Sequence, residues 1–187
     1  VQAVTSFSSR GPTWDGRLKP EVMAPGCMTS TDHDSQGYVD KCGTSMASPA
    51  IAGVTALLTE QYHQSFPGDG RPREATMKAI LVQTATDMRH DPTQGGFSEF
   101  GWNDPDTGKP VIYLAGPDWS TGYGAANAQK AASYIKAHNF VLGTVSPGDT
   151  SDTYNITVVP GTAELKFTLA WDDEPGNPAW GVQATQL

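Results

Sequence analysis

The sequence predicts an α/β chain, and three observations lead there. Residues 1–138 hold three helix-forming stretches: one following Gly43, one over 73–85 introduced by Pro72, and one over 127–138. Residues 139–187 hold short alternating runs split by turn residues, such as 154–159 and 164–171. The charge changes at the same place. Residues 1–138 carry 11 basic and 14 acidic side chains, and residues 139–187 carry one basic and six acidic. The expected organisation is therefore a helical unit over 1–138 and a β-rich unit over 139–187.

The most informative element is the first helix. Residues 43–53 read GTSMASPAIAG. They place the hydroxyl of Ser45 where a tight turn becomes a helix. Gly43 permits a close backbone approach, Thr44 is a good N-cap, and Pro49 falls in the first turn. Ala50, Ile51, Ala52, Val54, Ala56, Leu57 and Leu58 then make a helix apolar on nearly every side, as a buried helix is. A serine there sits among free backbone N–H groups at the positive end of the helix dipole. That setting favours an oxyanion, which acyl transfer develops in its transition state. A capped core helix with an idle serine would use the same residues, so physics alone leaves both readings open.

The second helix reads REATMKAILVQTA, introduced by Pro72. Between it and the third runs a segment of about forty residues, 86–123, rich in Gly, Asp, Pro and Trp, with one expected strand over 111–115. Loops of this length are usually functional or mobile. Its Phe97, Phe100, Trp102 and Trp119 suit a protein-facing surface, though such aromatics also pin a loop to its own domain. In the β portion, Glu164, Lys166 and Thr168 alternate with Leu165, Phe167 and Leu169, which predicts one wet and one buried strand face. Two such strands make no stable domain alone. They read as the opening of a β-sandwich.

Composition narrows the function classes. The 187 residues carry a net charge of −8 and few lysines, which argues against nucleic acid or an anionic membrane as partner. No apolar stretch approaches the ~20 residues a membrane span requires. Twenty glycines and fourteen prolines mark a loop-rich protein.

Three motifs together resemble the subtilisin-like serine proteases, the subtilases (peptidase S8 family). G-T-S-M-A-S-P with the following apolar A-G run is similar to their nucleophile signature. FSSRGPTWDGRLKPEVMAPG over 7–26 resembles the segment leading towards that serine. GYGAANAQKAA over 122–132 resembles the opening of the catalytic domain's last helix. Ala50 departs from the histidine that many members carry after the proline, at a position without a catalytic role. KFTLAWDDEPGNP resembles the start of the β-sandwich that larger members append. The resemblance implies the C-terminal part of a three-layer, parallel-sheet catalytic domain, followed by the truncated start of a sandwich.

The implied function is a serine endopeptidase acting on a protein or peptide through an acyl-enzyme on Ser45. Ser45 N–H would donate to the oxyanion with support from Thr44, and Gly43 and Met46 would border the substrate cleft. Subtilases run Asp, His, Ser along the chain, with the oxyanion asparagine also ahead of the serine. Those three groups are expected upstream of Val1, in an N-terminal part of the same protease; there is no initiator methionine and no signal peptide. Without that part the open sheet would expose its apolar face, and the chain alone would be inactive. The alternative is a catalytically incomplete fragment or a non-enzymatic interaction module.

The remaining titratable groups do not replace the missing ones. His63 lies 18 residues beyond Ser45 along one helix, ~27 Å away at 1.5 Å per residue. His33, between Asp32 and Asp34, reads as part of a solvated loop, and His90 and His138 as surface residues. A Ser…Asp…His order using His90 or His138 would need G-x-S-x-G, but the fifth residue is Ala47. No metal site and no cofactor for the chemistry are expected. Asp172, Asp173 and Glu174 beside Asn177 offer oxygen ligands of the kind a structural calcium takes, and a solvated acidic turn accounts for them as well. Cys27 and Cys42 flank a stretch expected to form a hairpin. A disulfide between them is favoured over two buried thiols and points to an oxidising, extracellular compartment. Asn155-Ile156-Thr157 is a glycosylation sequon.

Overall fold

A computed structural model describes residues 4, 5, 7–34, 36–88, 115–146, 148, 149 and 152–172. Its elements run β1 (Cys27–Thr31), β2 (Tyr38–Cys42), α1 (Thr44–Ser65), α2 (Glu74–Thr84) and α3 (Ala128–Lys136). All three expected helices form, each within two residues of its predicted ends where those were set. The expected strand over 111–115 lies, but for Ala115, outside the described residues, as do Phe97, Phe100, Trp102, His90, Asp173, Glu174 and Asn177.

The core is where the three helices meet. Leu58 and Tyr62 from α1, Met77, Ile80 and Leu81 from α2, and Ala131 and Ile135 from α3 form one buried cluster. The α1 pair and the α3 pair are four residues apart, and the α2 trio follows the i, i+3, i+4 rule, so each helix turns one stripe inward. An aromatic layer closes one end, with Tyr62 and Phe66 rings 4.8 Å apart and Phe140 edge-on to Phe66 at 5.5 Å. Burying a side chain of this size stabilises by about 1.5–3 kcal/mol. Asn127 caps α3, its side-chain oxygen accepting from Lys130 N–H at 2.9 Å.

One expectation fails here. The first helix is not buried all round. Ala52, Gly53, Ala56 and Leu57 lie exposed on its far side, Leu57 at 64 %. The sequence is apolar there, but among the described residues no second layer covers that face.

A cross-tie joins the segment before β1 to the segment before α3. Met23 N–H donates to Gly124 C=O and Ala126 N–H to Met23 C=O, both at 2.9 Å. Thr86 and Ala125 exchange two hydrogen bonds of 2.8 Å on the other side. The glycines of the GYG motif make this crossing feasible. Gly122 and Gly124 have φ of +60° and +110°, and a Cβ would fall 2.1 Å from Pro20 O and 2.2 Å from Thr86 O respectively. Met23 pairs Ala125 in parallel, an isolated bridge; the one sheet among the described residues is the antiparallel pair β1–β2.

The alternating runs of the β portion are extended but join no ladder among the described residues. The buried face expected over 164–169 does not form. Gln83 of α2 donates to Lys166 C=O at 2.9 Å and accepts from the Thr168 hydroxyl at 2.6 Å, so Thr168 meets the helix while Glu164 and Lys166 stay exposed. Leu165, Phe167 and Leu169 stay 50 %, 63 % and 83 % exposed. At the other end of α2, Asp172 accepts from Ala75 N–H at 3.1 Å. This satisfies one of the helix's free donors, since Arg73 at the N-cap supplies no side-chain acceptor. Gln83 and Asp172 together lay the run along α2.

Glu21 ties the segment before β1 to α2. Its carboxylate, 26 % exposed, takes Lys78 Nζ at 3.2 Å and also pairs with Lys19. Burial alone would raise its pKa, but hydrogen bonds from Lys19 and Lys78, with their positive charge, outweigh that and hold it below the ordinary glutamate range. A lowered folded-state pKa gives stability that is fully present above the unfolded value and lost as pH falls through the folded one. Glu21→Gln is therefore expected to destabilise by about 1–2 kcal/mol at pH 7. The deficit should shrink below about pH 4.3. Urea melts of both proteins at pH 7 and pH 3.5 check this; a deficit that does not change with pH contradicts it.

Candidate active site

The site grows out of one joint. β1 and β2 pair in antiparallel register from Cys27↔Cys42 to Thr31↔Tyr38. Cys27 and Cys42 are joined by a disulfide, as the hairpin reading favoured. Immediately beyond it Gly43 N–H donates to Gly26 C=O at 2.7 Å. The chain then turns into α1 without a break. Sequence reasoning missed Gly26, whose carbonyl fixes the helix start; a backbone acceptor leaves no side-chain signal.

The N-cap is Gly43, not Thr44. Thr44 is the first helical residue and exposed, and no side chain caps the helix. Its first turn is closed by backbone alone, with Met46 N–H donating to Gly43 C=O at 3.0 Å. Pro49 is thus the sixth helical residue, in the second turn and not the first. There it withholds the N–H that Ser45 C=O would otherwise accept.

Ser45 is the second helical residue, exposed. By position its N–H is one of the donors a helix leaves unmet. The first turn holds no acidic residue to neutralise the dipole's positive end. Ser45 Oγ has no hydrogen-bond partner among the described residues. Met46, half-buried, folds its sulfur back to 3.7 Å from the point where a Gly43 Cβ would stand. Gly43 itself is extended (φ 162°), and an added Cβ would meet only ordinary contacts there. Glycine at this position is not required by the local backbone.

The histidines fall apart from this centre. His33 sits at the far end of the hairpin, five residues along each strand and ~17 Å from the disulfide. It pairs with exposed Asp34 at 2.7 Å. Among the described residues no group of three or more His, Cys, Asp or Glu is arranged to hold a metal. His63 lies near the opposite end of α1, and the His138 ring rests 4.3 Å from Phe66. An open groove beside α2 and α3, lined by Gln83, Asn127, Lys130, Ser133 and Tyr134, includes neither the hairpin nor Ser45. Among the described residues the hairpin and α1 therefore bring together an exposed serine hydroxyl and the free N–H groups of a helix start, with no histidine beside them.

A subtilase-family profile (Peptidase S8) matches residues 1–103. The chain belongs to the subtilase family, an α/β family of serine peptidases. It is similar to C5a peptidase of Streptococcus pyogenes serotype M6, 29 % identical over 160 residues that make up 83 % of this chain and 12 % of that protein. Serine protease AprX of Bacillus subtilis is 31 % identical over 142 residues, 68 % of this chain and 25 % of AprX. The serine protease/ABC transporter B family protein tagD of Dictyostelium discoideum is 24 % identical over 92 % of this chain and 12 % of that protein. The chain thus spans an eighth to a quarter of the relatives it matches.

The place of Met46 sets an oxidation test. Sulfoxide formation would put a polar oxygen beside Gly43 at the start of α1. Should the full-length protein cleave peptides at this helix start, peroxide is expected to lower that rate and Met46→Ala to blunt the loss. Equal inactivation of both proteins, measured as residual rate against peroxide dose, contradicts the assignment.

Proposed function

We propose that this chain carries the nucleophile of a subtilisin-type serine endopeptidase, with Ser45 as the attacking group. The observation that carries the reading is the placement of an exposed serine hydroxyl and its unmet N–H at the start of α1. Ser45 Oγ attacks the scissile carbonyl of a protein or peptide as a histidine takes its proton. The oxyanion that forms accepts from Ser45 N–H, at the positive end of the helix. Thr44 supports that position. The oxyanion collapses, the scissile C–N bond breaks and the amine leaves with the histidine's proton; water activated by the same histidine then hydrolyses the acyl-enzyme, and no cofactor enters the chemistry. The histidine, the aspartate that orients it and the oxyanion asparagine belong to an N-terminal part of the protease ahead of Val1. That part also covers the exposed face of α1 and completes a three-layer parallel sheet. Residues 139–187 open a β-sandwich, and the disulfide fits a secreted protein. Among the described residues no helix is long and apolar enough to cross a membrane.

Gly43 borders the leaving-group side of the cleft in this reading. Its own fold tolerates a methyl group, so Gly43→Ala separates function from stability. The substitution should change stability by no more than about 0.5 kcal/mol. It should lower kcat/KM by about tenfold or more, because substrate must pack where the Cβ would stand. An unchanged kcat/KM counts against the cleft assignment.

A fluorophosphonate probe tests the nucleophile. Mass spectrometry should find the label on Ser45 in the full-length protease. The isolated 187-residue chain and a full-length Ser45→Ala variant should stay unlabelled. A full-length protein that does not label would leave the alternative, a subtilase scaffold used as a non-catalytic interaction module. That reading gains its support from the same exposed face of α1.

A further inference from the structure

We infer that the Cys27–Cys42 disulfide is a redox-sensitive positioning element for Ser45, which a dithiol opens to switch the nucleophile off. The inference rests on the serine-nucleophile reading above and adds a control to it. Four observations lead to it.

The first is location. The bond closes the hairpin at the end that leads into the site, with Cys42 three residues before Ser45. The second is the lack of other support. In β1 and β2 only Met28 and Val39 are half-buried, and every other residue is exposed. An isolated two-stranded hairpin is marginal in water, so its register at the Gly26–Gly43 joint depends on the crosslink. No side chain caps α1 to hold its first turn independently.

The third is access. Both cysteines are exposed, so a thiolate in solution can approach either sulfur. The fourth is the leaving group. Cys42 directly precedes the N-cap of α1, and a thiolate formed there lies at the positive end of a 22-residue helix. Attack on Cys27 Sγ therefore expels the better-stabilised thiolate, which speeds exchange. One thiolate of the dithiol attacks Cys27 Sγ, the Cys27–Cys42 bond breaks, and Cys42 leaves as thiolate and takes up a proton. The second thiol of the reductant then attacks the mixed disulfide and releases Cys27. Two electrons pass to the protein, and the reductant ends as its cyclic disulfide.

Opening the bond frees a 15-residue loop at one residue's remove from the N-cap. The Gly43–Gly26 hydrogen bond then has the hairpin ladder and one exposed cross-strand bond, from the Thr29 hydroxyl to Asp40, to hold it. A shift of about 1 Å in a reacting group costs up to ~100-fold in rate, so loosening this joint suffices to quench the serine. The helical core, built from α1, α2 and α3, shares no residue with the joint and should be unaffected.

The test uses the full-length protease under native conditions, treated with dithiothreitol and then reoxidised. Alkylation with iodoacetamide reads the state of Cys27 and Cys42, a fluorophosphonate reads Ser45, and amide hydrogen exchange reads the backbone. Both cysteines should become alkylable, and the labelling rate should fall about tenfold or more and return on reoxidation. Exchange should rise at Gly43 and Met46, whose N–H groups donate to Gly26 and Gly43 C=O, and stay unchanged in α2 and α3. A bond that resists reduction in the folded protein overturns the inference. So does a reduced protein that labels at the oxidised rate, or one that loses protection throughout. An oxidised protein that never labels overturns the underlying nucleophile reading instead. The Cys27→Ser/Cys42→Ser variant, where it folds, should label slowly and ignore dithiothreitol.

Discussion

Everything at the candidate site depends on how α1 is made to begin. A helix start normally relies on a side chain to hold its first turn, and α1 has none. Its start is fixed by a covalent crosslink and one backbone hydrogen bond, Cys27–Cys42 followed by Gly43 N–H to Gly26 C=O. That economy has a chemical consequence. A side-chain cap would occupy the N–H groups of the first turn, whereas a tie placed before the turn leaves them available. The same arrangement that locates Ser45 keeps its N–H unmet.

Around that joint, the rest of the structure supplies rigidity at a distance. The helical core anchors α1 through Leu58 and Tyr62, with Ile51 and Val54 packed against it, so its hold on the helix begins about two turns beyond the serine. The segment before β1 is anchored separately, through Glu21 to Lys78 of α2 and through Met23 to the strand-like stretch at Gly124–Ala126. The hairpin thus hangs between two fixed points, one on each side of the disulfide. A site built this way is held by its ends, which explains why a single bond in the middle matters so much.

Much of this was legible in the sequence. The three helices are evident as helix-forming stretches, the first from its apolar run, and the cysteines bracket a hairpin short enough for their strands to meet. The GTSMASP run located the serine because motif and helix-start physics agree there. Other features were hidden for physical reasons. The Thr44 N-cap expectation failed because the helix is capped one residue earlier, at Gly43, whose own N–H is held by the Gly26 carbonyl. The burial of α1 was overestimated because apolar residues such as Leu57 report a surface that something covers, not which chain covers it. The buried face expected over 164–169 failed for a related reason: alternation gives two faces but no cover, and here Thr168 meets Gln83 of α2 while Leu165, Phe167 and Leu169 stay exposed. Asp172 capping a helix 97 residues earlier has no local signature at all.

The central claim is that the Gly26–Gly43 joint aims the first N–H groups of α1 at an oxyanion. It is met most directly by a crystal structure of the full-length protease after reaction with a fluorophosphonate. The account predicts a phosphoryl group on Ser45 Oγ whose oxygen lies about 2.7–3.1 Å from Ser45 N, with the disulfide closed. A phosphoryl oxygen turned away from that N–H, or adduct formation on another residue, would contradict it.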